Sequence, residues 1–234
     1  MNVGKKQIAG MWFPETDDHF PRQMANAPII DGKGTYQVHK YAACRQYFHK
    51  RRVALDIGGH VGLWSRIMAK DFERVIAFEP LRAHVECFQM NLEGIENVRL
   101  NHCALGDKPG KIRVHMPIDN TGHAHVLSDE GEEVACRTLD SYLFENVDFI
   151  KIDTEGFESF ILEGGKETIL RNRPLIVVEQ KPGNAERYGR GQMAAVLTLR
   201  TWGMEHLWSK AGDYLMGWPG ARPDARIEPL SGVA

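Results

Sequence analysis

Two carboxylates stand where a nucleoside with an amino-acid arm would need them. Asp56 opens the run Asp56-Ile-Gly58-Gly59-His60-Val-Gly62, set between an apolar stretch and a helical pattern, and Glu79 closes the next apolar stretch. Glycines in such a turn let backbone approach a ligand where the free N–H groups of a helix start point outward. A dinucleotide site would carry G-x-G-x-x-G with a pyrophosphate on that terminus. Here the pattern is G-G-H-V-G, and the acidic Asp56 before it repels pyrophosphate but suits an ammonium group. A carboxylate at the tip of the second strand accepts hydrogen bonds from two vicinal ribose hydroxyls. Together they point to S-adenosylmethionine, held by Asp56, Gly58, Gly59, His60, Gly62 and Glu79, with Cys103 and Asp153 completing the set. The competing reading makes Asp56 a helix cap and Glu79 a solvated side chain.

A second constellation is Lys151-Ile-Asp153-Thr-Glu155-Gly, followed by Glu179 at the end of the next apolar run. Displacement at a sulfonium methyl needs collinear placement and a route for the acceptor's proton. Asp153 is expected to bind the methionine end or orient the acceptor hydroxyl, and Glu179 to face the same crevice. Lys151 either steers an acidic substrate or pairs with Asp153. Glu155 reads as a first-turn helix charge and Glu158 as a solvated helix residue. His123 and His125 share one face if their segment is extended, which makes His123 a candidate proton acceptor that His115 could join. No spacing compels a metal site and none is assigned, although Asp153 and Glu179 together would suit an octahedral ion.

These residues need strands that end side by side. Residues 52–57, 74–80, 97–105, 147–153 and 175–179 are short apolar runs, and helical spacing fills 61–70, 81–92, 157–162 and 193–202. The alternation predicts an α/β fold of Rossmann-like, doubly wound type, with a mostly parallel sheet and helices on both faces. Residues 111–116 and 133–138 read as a hairpin-like insertion around a polar segment, and 204–208 and 214–218 as weaker strands. Residues 1–50 are expected to form an N-terminal cap on the substrate side, 51–218 the catalytic domain and 219–234 a loosely ordered tail. Trp12-Phe-Pro-Glu in the cap reads as packing in preference to sugar stacking.

The chain has 234 residues and a net charge of −2, so no global field holds it on a polyanion. The charge is uneven: 1–52 carries +5, 53–180 carries −9 and 181–234 carries +2. The basic first segment suggests an anionic acceptor met by Lys5, Lys6, Lys33 and Lys40. No apolar run is long enough for a membrane helix, and four widely spaced cysteines read as free thiols, which points to the cytoplasm.

Asp56-Ile-Gly-Gly-His-Val-Gly, Ala77-Phe-Glu-Pro, Ala104-Leu-Gly-Asp, Thr138-Leu-Asp and Ile150-Lys-Ile-Asp-Thr-Glu-Gly-Phe-Glu resemble, in order, the blocks of FkbM-type methyltransferases. The resemblance spans roughly residues 52–181 and implies a class I methyltransferase sheet. It also implies methyl transfer from S-adenosylmethionine to a hydroxyl oxygen of a sugar, glycan or other small molecule. His60 departs from the Asn that many relatives carry in the turn. A nucleic-acid acceptor is disfavoured, because Asp153-Thr-Glu-Gly is neither a Pro-Pro-aromatic run nor a Pro-Cys nucleophile. A nucleic-acid methyltransferase and a cofactor-binding module without catalysis are the two alternatives.

Overall fold

The computed structural model describes residues 4–24, 27–118, 120–127 and 129–227, so the last seven residues of the expected tail lie outside it. The chain opens with an antiparallel hairpin, β1 (Lys5–Ile8) and β2 (Met11–Pro14), then α1 (His19–Met24), the two-residue pair β3 (Ile29–Ile30) and β4 (Lys33–Gly34), and α2 (Val38–Arg45). The predicted alternation follows as β5 (Val53–Ile57), α3 (Leu63–Met68), β6 (Arg74–Phe78), α4 (Arg82–Asn91) and β7 (Val98–Asn101). An insertion comprises β8 (Ala104–Leu105), β9 (Gly110–His115), β10 (His125–Leu127) and β11 (Glu132–Arg137). Then come β12 (Val147–Ile152), α5 (Glu158–Glu163), α6 (Lys166–Asn172), β13 (Leu175–Glu179), α7 (Ala194–Thr201), β14 (Glu205–Lys210) and β15 (Asp213–Gly217).

The main sheet has the order β14-β15-β13-β12-β5-β6-β7. Strands β5, β6, β7, β12 and β13 are parallel, while β15 runs antiparallel to both its neighbours. Every residue of β5 is buried, as a central strand covered on both faces requires. Alternate side chains feed two cores: Val53, Leu55, Ile57, Ile150 and Ile152 pack on one face, and Ala54, Phe149, Val177 and Leu215 pack with Trp64 and Tyr41 on the other. The chain moves outward from β5 through β6 to β7, then returns to lay β12 on the other side of β5. A crevice opens at that reversal, beyond the carboxyl ends of the strands.

Three expectations change. The single strand read over 97–105 is two, because Cys103 N–H turns back to the carbonyl of Asn101 and sends β8 into a separate sheet. The insertion is therefore a four-stranded sheet, β10-β9-β11-β8, and more than a hairpin. The four lysines read as meeting an anionic acceptor each have a partner in the protein: Lys5 pairs with Glu86, Lys6 with Asp18 and Lys40 with Asp213, and Lys33 donates to the Asn91 carbonyl. The segment is also woven into the sheet domain. Asn91 bonds both the N–H and the carbonyl of Trp12, and Arg66 donates to the carbonyls of Ile30 and Gly34. The described part of the tail returns to α2, where Asp224 N–H meets the Gln46 carbonyl. No described helix is long and apolar enough to cross a membrane.

Candidate active site

Two cavities meet at the carboxyl ends of β5 and β12, sharing Gly58, His60, Gly122, Asp153 and Glu155. The first holds about 630 Å³ of open space between apolar walls, among them Phe78, Leu105, Phe157 and Ile161, and includes Glu79, His84, Cys103 and His125. The second holds about 1040 Å³ and is polar, lined by His123, Lys151, Glu179, Lys181, Tyr36 and the ring of Phe20.

Glu79 ends the run after β6 and is almost fully buried. Its Oε2 accepts the His60 N–H at 2.8 Å, and its Oε1 accepts the Leu81 N–H at 3.0 Å and His84 Nδ1 at 3.1 Å. Burial alone would raise its pKa, but His84 and these donors hold it below the ordinary glutamate value. The charge therefore persists, and of about four acceptor positions on a carboxylate one on Oε2 stays open.

The glycines act mainly through packing. Gly58 adopts φ 81°, and a Cβ there would overlap the Asp153 carbonyl oxygen, so the turn after β5 lies directly against the turn after β12. Gly62, at φ 89°, lets α3 start against Leu92 and Phe88 of the α4 region. Gly59 lines the polar cavity, and Gly62 lines neither. Between them His60 takes φ 48°, and its ring stacks on Phe20 and meets Thr121 Oγ1 at 2.9 Å. Thr121 in turn bonds Asp17, whose other oxygen caps the start of α1. One imidazole thus ties the glycine turn to the first segment and to the insertion.

Asp56 is placed differently from expectation. It is fully buried, lines neither cavity, accepts the Ser65 hydroxyl at 2.6 Å and faces Lys151 Nζ at 3.4 Å. Its carboxylate is engaged inside the protein, so it is not positioned to meet a ligand ammonium directly. Lys151 donates to the Gly58 carbonyl at 2.7 Å and lies 3.9 Å from Asp153. Burial works against its charge, but Asp56 and Asp153 hold its pKa above the ordinary value. Of the two roles open to Lys151, pairing is the one its contacts carry.

Asp153 lines both cavities and is partly exposed at their junction. Glu155 stands beside it with φ 54°, held by Asn184 Nδ2 at 2.6 Å; it precedes α5 instead of opening it. Glu179, on β13, presents a third carboxylate, and one oxygen from each of the three lies within 4.8 Å of the others. Lys181 Nζ approaches Glu179 at 2.6 Å. Burial and the neighbouring carboxylates push Glu155 up to about 7 and Glu179 up to about 10. Glu158 is not solvated: it is buried and accepts the N–H groups of Thr154 and Gly156, closing the turn that displays Asp153 and Glu155.

The two histidines of the insertion do not share a face, because Thr121–His123 is a 3₁₀ turn. His123 lines the polar cavity, while His125 lines the apolar one and pairs across the sheet with His115. Burial lowers the pKa of His123, so it stays unprotonated at neutral pH. Residue spacing alone did not reveal Glu155, Lys181, Phe20 or His84 as site residues. Only the Glu155-Gly156 pair carried a signal, and it reads equally as a helix start.

The Methyltransferase FkbM domain matches residues 56–203, a stretch that contains the glycine turn, Glu79, Asp153 and Glu179. The chain belongs to this family. Among its relatives are the 2-O-methyltransferase NoeI of Sinorhizobium fredii, 29% identical over 52% of this chain and 60% of that protein, and Methyltransferase 1 of Beauveria bassiana, 26% identical over 47% and 57%. The chain thus spans about 60% of the length of these FkbM relatives. A solved rRNA methylase from Streptococcus thermophilus is 12% identical and superposes over 78% of this chain and 95% of its own at a TM-score of 0.50, a likeness of fold. That likeness gives the class I methyltransferase architecture, and membership of the FkbM methyltransferase family makes S-adenosylmethionine the cofactor. The residues present fit that molecule. The apolar crevice lies beyond the carboxyl ends of β5 and β6, where ligands of open α/β sheets bind. Its inner end offers the open acceptor position of Glu79 and the buried Nε2 of His84, which has no partner among the described residues.

Proposed function

We propose that the chain transfers a methyl group from S-adenosylmethionine to a hydroxyl oxygen of a sugar, glycan or other small molecule. The observation that carries this reading is the junction of an apolar crevice and a polar chamber at Gly58, His60, Asp153 and Glu155. Glu79 would accept one ribose hydroxyl at its open Oε2 position, with the walls around Phe78 and Leu105 taking the adenine, Cys103 beside them, and Asp153 the methionine end. Bound there, the cofactor supplies an electrophilic sulfonium methyl. The chain's own part is to hold the acceptor in line, to exclude water and to take a proton. His123 is neutral, lines the acceptor chamber and is the group assigned to receive that proton, with Glu179 orienting the hydroxyl.

The family relative described as a 2-O-methyltransferase supports oxygen as the acceptor atom. A nucleic acid is disfavoured because Asp153-Thr-Glu-Gly after β12 is neither a Pro-Pro-aromatic run nor a Pro-Cys nucleophile. Four buried free thiols support a reducing, cytoplasmic setting.

A labelled-methyl screen over glycans, small polyols, nucleotides and nucleic acids tests the proposal. A sugar or polyol should be labelled, and Asp153→Ala should abolish turnover. Labelling of nucleic acid alone would overturn the acceptor class. Cofactor binding without any turnover would favour a binding module.

A further inference from the structure

The polar chamber is short of positive charge. Asp56, Asp153, Glu155, Glu179 and Asp213 contribute five carboxylates in and beneath it, against the ammonium groups of Lys40, Lys151 and Lys181. Lys40 is bound to Asp213, and Lys151 is shared between Asp56, the Gly58 carbonyl and, at 3.9 Å, Asp153, so three ammonium groups face five carboxylates. Two negative charges stay uncompensated by lysines in a largely buried region, a costly arrangement unless protons or a cation neutralise them.

The geometry suits a cation. Asp153, Glu155 and Glu179 each bring an oxygen within 4.8 Å of the other two, from three different turns of chain. Glu179 is 2% exposed, lines the chamber, and its Oε2 has no hydrogen-bond partner among the described residues. Its other oxygen meets Lys181, a side chain 38% exposed, whose ammonium occupies the position of a competing cation. Glu155 is fixed by Asn184 in a left-handed backbone conformation, strain that holds its carboxylate in this cluster.

We propose that Asp153, Glu155 and Glu179 bind a divalent cation of the Mg²⁺ or Mn²⁺ class at the acceptor end of the site. Such ions take six oxygen ligands in near-octahedral geometry, so three carboxylates leave three positions for water or for two adjacent hydroxyls. The acceptor class that follows is a vicinal diol, a deduction that rests on the methyltransferase reading above; the ion site itself does not.

The test uses the full chain, stripped with EDTA and dialysed, titrated with Mn²⁺ while free Mn²⁺ is followed by electron paramagnetic resonance. One site with a dissociation constant below about 1 mM is expected, with Mg²⁺ as a competitor. Glu179→Gln should weaken Mn²⁺ binding about tenfold or more. Lys181→Met should tighten it, because it removes the competing ammonium; a mere salt bridge at Glu179 predicts no such gain. Circular dichroism establishes that each variant is folded. Absence of saturation in the wild type, or unchanged affinity in both variants, overturns the ion site. Calorimetry with S-adenosylmethionine on the same samples separates the two readings: cofactor binding without Mn²⁺ binding defeats the ion site alone, and the converse defeats the methyltransferase reading alone.

Discussion

His60 shows how much one side chain is asked to do. Its N–H fixes Glu79, its Nε2 reaches Thr121, and its ring lies between Phe20 and His84. Burial pushes its pKa well below the ordinary histidine value. In the unfolded chain the group titrates near its ordinary value of about 6.5, so the folded form binds protons more weakly. Its contribution to stability is complete above that value and is lost as pH falls toward the folded pKa. His60→Asn keeps a residue that tolerates left-handed backbone. Thermal melts at about pH 7.5 and about pH 5.5 should show a smaller drop in Tm for the variant than for the wild type; an equal drop removes His60 from the acid response. His123 belongs to the same scale. His123→Asn should cut kcat by about 10² or more while leaving cofactor affinity unchanged by calorimetry, and unchanged kcat would disqualify it as the proton acceptor. Glu79 was legible in the sequence because a carboxylate at a strand tip is a local feature. Asp56 was not, since whether it faces a ligand or the interior depends on Lys151, brought beside it only by the pairing of β12 with β5.

At the scale of elements, the parallel strands were readable because each buried run is bounded by its own turn residues. The insertion was harder, for its short strands pair with one another and with β8, a partnership no local periodicity encodes. The likeness of His123 and His125 failed for the same reason: one lies in a 3₁₀ turn and the other in β10. The turn after β5 gives a quantitative test of how elements meet. Gly58 and Gly94 both have φ near 80°, but a Cβ at Gly58 strikes the Asp153 carbonyl, while one at Gly94 enters open space. Gly94→Ala should therefore cost about 1–2 kcal/mol, the penalty of left-handed backbone alone. Gly58→Ala adds overpacking of about 1–3 kcal/mol and should also weaken S-adenosylmethionine binding, because it parts the turns that carry His60 and Asp153. Urea melts of the two variants measure the difference; equal losses would mean that close approach of the turns contributes nothing.

Across the whole molecule, the net charge of −2 conceals a division of labour, though not the one that segment sums suggest. Lys5, Lys6 and Lys40 of the basic first segment stand in ion pairs, and the acidic middle concentrates carboxylates around one chamber. Summed charge along a chain says little about field at a site, because pairing is decided in three dimensions. Lys40 and Asp213 make this concrete: α2 of the first segment and β15, a strand inserted antiparallel beside β13, are joined by an ion pair with both side chains buried. Burial raises the pKa of Asp213, with Asp153 adding to it and Lys40 opposing. Lys40→Met strands that carboxylate and should cost about 3–5 kcal/mol, seen as a lower urea midpoint with unchanged m-value. The double variant Lys40→Met with Asp213→Leu replaces both charges by apolar groups and should recover most of the loss, since a buried pair is worth little against well-packed hydrophobic residues. A double variant as unstable as the single would mean that residues 1–50 are held to the sheet by that charge pair, and recovery means that they are held by packing, as Met11, Phe13, Tyr41 and Phe48 in the core suggest.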